Sequence, residues 1–93
     1  MIRPSARIEV PPTAIAVRRT PSFTVTSMPP ALRRSHLASV WAELVVEEGS
    51  VLYTDETPRR ATVSHGSRIA IAPGVAHHIE PAEDALFHIQ FYR

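Results

Sequence analysis

Apolar and polar residues alternate along this chain in short segments that change face every second position. Leu86 to Tyr92 is the cleanest of them, with Phe87, Ile89 and Phe91 on one face and Leu86, His88, Gln90 and Tyr92 on the other. Leu37 to Glu47 is the strongest strand prediction in mid-chain, setting Ala42, Leu44 and Val46 against Trp41, Glu43, Val45 and Glu47. Shorter strands are predicted at Ala14 to Arg19, as a sheet edge, and at Phe23 to Ser27, Val51 to Thr54, Arg59 to Ser64 and Ser67 to Ala72. Turn residues separate them at Gly49-Ser50, Asp55 to Pro58, His65-Gly66, Pro73-Gly74 and Pro81 to Asp84, the last predicted to close a hairpin. One helical turn is expected at Ala31 to Arg34, with proline at its front and arginines at its rear. No helical apolar stripe lasts beyond a turn or two, and nine prolines punctuate 93 residues. The pattern predicts an all-β fold, a sandwich or a small barrel, rather than a parallel α/β sheet. Without an internal repeat or boundary, residues 1–93 read as one domain, with 1–12 an extended amino-terminal arm containing Pro4, Pro11 and Pro12.

Composition narrows the function classes. A chain of 93 residues buries only about two-thirds of its unfolded surface, so a subunit interface would add stability and a homo-oligomer such as a dimer is expected. The lack of cysteine leaves nitrogen and oxygen as the only ligands for any metal. Ten basic against nine acidic residues give a formal charge of +1, too little to attract nucleic acid or an anionic membrane. No apolar run approaches the roughly 20 residues that span a bilayer, so the default reading is a soluble, cytoplasmic protein. Neither a Ser-His-Asp or Cys-His signature nor a phosphate-cradling glycine loop is present.

The histidines carry the candidate chemistry, because neutral imidazole is a common ligand for zinc, iron, copper and nickel. His77 follows the Pro73-Gly74 turn and opens a strand, and it is the first candidate for a pocket. His78 must then face the opposite side of a regular strand. His36 lies beside the helix-to-strand junction, where a ligand and a surface residue are both open readings. His88 shares a face with Gln90 and could complete a site, although the Phe87, Ile89 and Phe91 face is an equal candidate for the interior. His65 reads as a turn residue. Glu43 and Glu47 alternate on one strand face, which suits solvent, and Glu80 at a strand end suits an arginine partner. Arg18-Arg19 would bind an anion bidentately or guard a sheet edge. Trp41, Tyr53 and Tyr92 would line a pocket or pack in a core or interface.

The run from Gly66 to Glu80, with its Pro-Gly turn and the following histidine, resembles the second signature of the cupin barrels. Further pieces stand in order: Arg19-Thr20-Pro21-x-Phe23, Pro29-x-Ala31-Leu32 with His36, Val40-Trp41-x-x-Leu44-x-Val46-x-x-Gly49, Pro73-x-x-x-His77-x-Ile79-Glu80, and Phe91-Tyr92. From about Pro12 onward the set is similar to the small cupin family typified by the amino-terminal domain of tellurite-resistance TehB proteins and by YeaR-like stand-alone proteins. The resemblance implies a double-stranded, jelly-roll-like β-barrel. It implies a divalent metal site, for zinc, iron, nickel or copper, in which His36 and His77 match the family's two histidines, and no organic cofactor. A third ligand would come from His88, Gln90 or Glu43. Some relatives carry a carboxylate where this chain has Gln90, and a neutral amide oxygen is a weaker ligand. The first functional expectation is therefore a stress-response binding module, tellurite or nitrosative, that takes a small molecule or anion. The alternatives are a metal-dependent cupin enzyme such as a dioxygenase and a metal-free interaction domain.

Overall fold

The structure, a computed structural model, describes residues 8–93. Seven strands run Ala16–Arg19 (β1), Ala42–Glu48 (β2), Ser50–Asp55 (β3), Arg60–Ser64 (β4), Arg68–Ile71 (β5), His77–Pro81 (β6) and Leu86–Tyr92 (β7). The only helical piece among the described residues is a 3₁₀ turn at Pro30–Arg33, one residue earlier than predicted and with proline at its first positions. The strands form two antiparallel sheets, in the orders β1-β7-β2-β5 and β4-β3-β6. None of the described helices is long and apolar enough to cross a membrane.

Alternation decides which faces meet. Ala42, Leu44 and Val46 of β2 stand opposite Phe91, Ile89 and Phe87 of β7, and all six point at the second sheet. That sheet answers with Val51, Tyr53, Val63 and Ile79. Phe87, Leu44, Val51 and Tyr53 have no exposed surface at all, and full burial of each such apolar side chain is worth about 1.5–3 kcal/mol. Phe23 pins the edge of this core through reciprocal backbone bonds with Phe87, its N–H donating at 2.6 Å and Phe87 returning one at 3.0 Å.

Three sequence expectations need correction. Residues 37–41 are not strand. His36 is backbone-paired with His77 beside one sheet, whereas Ala42 begins a central strand of the other, so the chain crosses the sandwich between them and cannot stay straight. Phe23 to Ser27 makes a single bridge and then a turn, because the Thr24 and Ser27 hydroxyls bond each other's backbone N–H groups at 3.2 and 2.8 Å. The turns at Gly49 and at Pro81 to Asp84 close no hairpins. Each hands the chain from one sheet to the other, and β3–β4 alone pairs consecutive strands. The arm expected over 1–12 lies partly outside the described residues; Ile8, Glu9 and Val10 border a shallow hollow with Glu43, Arg68 and Ala70 on the outer face of β2 and β5.

Candidate functional site

His36 and His77 are brought together by backbone pairing. Each donates its N–H to the other's carbonyl, at 2.9 and 2.8 Å, which places the side chains directly across from one another. The imidazole centroids are 4.3 Å apart with the rings tilted by 55°. The left-handed turn at Gly74 (φ 73°) makes this meeting possible, and the Gly74 N–H is held by the Ala38 carbonyl at 2.8 Å.

The two rings are oriented alike. Nδ1 of His36 lies 3.1 Å from the Arg34 carbonyl, and Nδ1 of His77 lies 3.0 Å from the Val75 carbonyl. A carbonyl can only accept, so Nδ1 carries the proton in both rings and the lone pair of the neutral form sits on Nε2. Metal-binding histidines are commonly prepared by such a bond from the second nitrogen. Burial pushes the His77 pKa below its ordinary value, and proximity to His36 adds to this against the bond to Val75, so His77 is neutral near pH 7.

Both rings line a cavity of about 140 Å³ between the sheets. The rest of its wall is largely apolar and includes Phe23, Leu32, Ile71, Ile89 and Phe91. Thr20, also in the wall, has a hydroxyl already committed, donating to the Pro21 carbonyl at 2.8 Å and accepting the Ile89 N–H at 3.0 Å.

Behind His77 lies a buried polar group that sequence reasoning missed. The Tyr53 ring stacks near His77, with centroids 6.0 Å apart and planes 21° apart. Its hydroxyl donates to Asp55 Oδ2 at 2.8 Å, and Arg59 Nε donates to the same oxygen at 3.1 Å. Burial works to raise the Asp55 carboxyl, but bonds from the Thr57 hydroxyl and N–H, Tyr53 and the Arg59 N–H outweigh it and hold the group well below the usual carboxylate range. Burial, with Asp55 alongside, pushes the Tyr53 hydroxyl far up. The one available hint was the Asp55-x-Thr57 spacing of an Asx turn.

The other candidates lie elsewhere. His88 and Gln90 alternate with Phe87, Ile89 and Phe91, so they face away from the cavity, on the outer side of β7. His88 Nδ1 is 2.7 Å from Glu47 Oε2, which also accepts from the Ser22 hydroxyl at 2.6 Å. Gln90 Nε2 donates to the Arg18 carbonyl at 2.8 Å. Glu43 shares that outer face, accepting from the Tyr92 hydroxyl and from Arg68 at 3.1 Å. His78 points outward beside Thr54, and His65 sits exposed in a turn. Arg18 stacks on Phe91 at 4.2 Å, and Arg19 donates to Ser22 at 2.9 Å, so both guanidiniums are engaged within the sheet edge. Among the described residues no group of three or more His, Cys, Asp or Glu is placed to hold a metal ion.

Comparisons with known proteins bear on this arrangement. The family model of the TehB-like domain matches residues 18–89. No curated protein sequence matches the chain. A solved structure of a protein from Escherichia coli strain K12 superposes with a TM-score of 0.85 at 24% identity, over 92% of this chain and 88% of that one. The structure of TehB from Haemophilus influenzae superposes with a TM-score of 0.76 at 20% identity, over 85% of this chain and 31% of that one. The chain therefore spans under a third of that TehB, and both likenesses are likenesses of fold.

Proposed function

The chain belongs to the TehB-like domain family, and from that premise we propose that its two sheets are a small cupin-type, jelly-roll-like barrel whose His36–His77 pair is a binding site for a divalent metal ion. The family is linked to tellurite resistance, and the function proposed is that of a binding module in such a stress response.

One observation carries the reading: two facing imidazoles, each with Nδ1 spent on a carbonyl, keep their Nε2 lone pairs for a ligand. Zinc, nickel, copper or ferrous iron suits such nitrogens, and would supply an electrophilic centre for a small molecule in the cavity. Two protein nitrogens are fewer than the three of a catalytic zinc site. They imply a weakly held ion, with its remaining positions left to water or a bound molecule. The facial triad of non-haem iron oxygenases sets a carboxylate beside two histidines. Glu43 and Glu47 lie on the outer face of the other sheet, Glu80 on the outside of β6, and Asp55 is consumed by Tyr53, Thr57 and Arg59. Binding is thus better supported than redox catalysis.

The test is metal uptake by chelator-treated, untagged protein, measured by elemental mass spectrometry after equilibration with each ion. Uptake of about one ion per chain, lost in the His36→Ala/His77→Ala double variant, is the expected result. Equal uptake by the double variant would sink the assignment.

A further inference from the structure

We propose that the cavity beside the His36–His77 pair takes a neutral, ring-sized apolar molecule bearing one hydroxyl, which donates to an imidazole nitrogen, and that it turns away anions. This rests on the reading of that pair as the binding site and concerns the metal-free protein, in which both Nε2 lone pairs are open.

Size comes first. An apolar cavity of about 150 Å³ accommodates benzene, and this partly open one measures about 140 Å³ with walls that include Phe23, Leu32, Ile71, Ile89 and Phe91. Polarity selects the head group. The Thr20 hydroxyl is already satisfied on both sides, so the polar side-chain atoms left for a ligand are the two Nε2 acceptors. Acceptors call for a donor, and a hydroxyl supplies one. Charge sets the exclusion. No Arg, Lys, Asp or Glu side chain lines the cavity among the described residues. A carboxylate or oxyanion entering it would lose its hydration with no cation to replace it. Small phenols meet all three requirements, and an inorganic oxyanion fails on charge.

The experiment titrates phenol, benzene and benzoate at pH 7 into isotope-labelled, chelator-treated protein, followed by NMR. Phenol is expected to shift the resonances of Phe23, Ile71 and Ile89. Benzene should shift the same set with an affinity about two- to tenfold lower, the worth of one hydrogen bond. Benzoate should shift none of them. Benzoate binding as tightly as phenol would overturn the proposal, as would the failure of all three rings to perturb the cavity. In the His36→Ala/His77→Ala variant the preference for phenol over benzene should vanish; its persistence would remove the imidazoles from the account. Leu32→Trp, made in the partly exposed 3₁₀ turn so that the fold has room to adjust, should fill the cavity and abolish ring binding. Unchanged binding there, in a variant whose melting transition matches the wild type, would place the ring elsewhere and overturn the proposal. A metal titration of the same samples separates the two readings: ring selectivity without metal uptake sinks the metal site alone, and uptake without ring binding sinks this inference alone.

Discussion

Gly49 and Gly74 both sit at left-handed φ, 67° and 73°, yet their surroundings differ. At Gly49 an added Cβ would lie 2.7 Å from Asp84 Oδ1, 2.9 Å from the Asp84 carbonyl and 3.0 Å from the Ala85 Cα, two of which are backbone atoms that cannot swing aside. At Gly74 a Cβ would meet nothing within 4 Å. Gly74→Ala should therefore cost only the conformational penalty, about 1–2 kcal/mol. Gly49→Ala adds an overpacking cost and should reach about 2–4 kcal/mol. Urea denaturation of the pair checks this, and equal losses would show that the Asp84 contact is not felt. Individual residues also show what a sequence can disclose about the site. His77 was legible because the Pro-Gly turn sets it at the start of a strand and the family resemblance turns that position toward the interior. His36 was legible only through family resemblance, since its position depends on a bridge to a residue 41 places away. His88 and Gln90 were left open because alternation assigns residues to two faces without saying which one is interior. The burial of Phe87, and not any local signal, settles that choice.

Among the elements, β7 and β2 were readable because half-buried strands must alternate, and their interior residues came out as written in the pattern. What local chemistry could not give is where a turn leads. Gly49-Ser50 and Pro81 to Asp84 carry ordinary turn residues, and these serve equally to reverse a hairpin or to pass the chain to the facing sheet. The β3–β4 hairpin is the exception, and its turn is built on Asp55, which accepts the Thr57 N–H at 2.9 Å and the Arg59 N–H at 3.2 Å. Arg59 then reaches from this hairpin to the Ala70 carbonyl on β5, tying the two sheets together. Asp55→Ala should cost about 2–3 kcal/mol. It leaves the Tyr53 hydroxyl proton without its acceptor in the core, with only the Arg59 Nη2 contact at 3.3 Å remaining, while Arg59, 24% exposed, can partly recover water. A loss under about 1 kcal/mol in urea denaturation would show that the turn holds without its carboxylate. The same variant should loosen the Tyr53 ring beside His77, visible as broadened His77 resonances.

For the whole molecule, the buried titratable groups imply a stability plateau with two different edges. The His77 pKa is lowered by folding, so below the ordinary imidazole value of about 6.5 the unfolded chain takes up a proton that the folded chain refuses. The unfolded state binding more protons means that stability rises with pH in that window. Its contribution is complete above about pH 6.5 and is lost as pH falls toward the folded pKa. Asp55, held low, adds a second loss, which begins when unfolded carboxyls protonate near pH 4 and continues downward. Tyr53 and Tyr92 act at the other end. Both are raised, chiefly by burial, so stability is complete below about pH 10 and declines above it, where the unfolded phenols ionise first. Thermal melts should therefore be flat from about pH 7 to pH 9 and begin to fall between about pH 6.5 and pH 5, above the range where most carboxylates titrate. His77→Gln should remove much of that first decline, because an amide takes up no proton in either state, while leaving the steeper loss below pH 4 in place. If the variant loses as much between pH 6.5 and pH 5 as the wild type, the buried imidazole is not the group that sets the acid edge. His77 would then be open enough in solution to protonate freely.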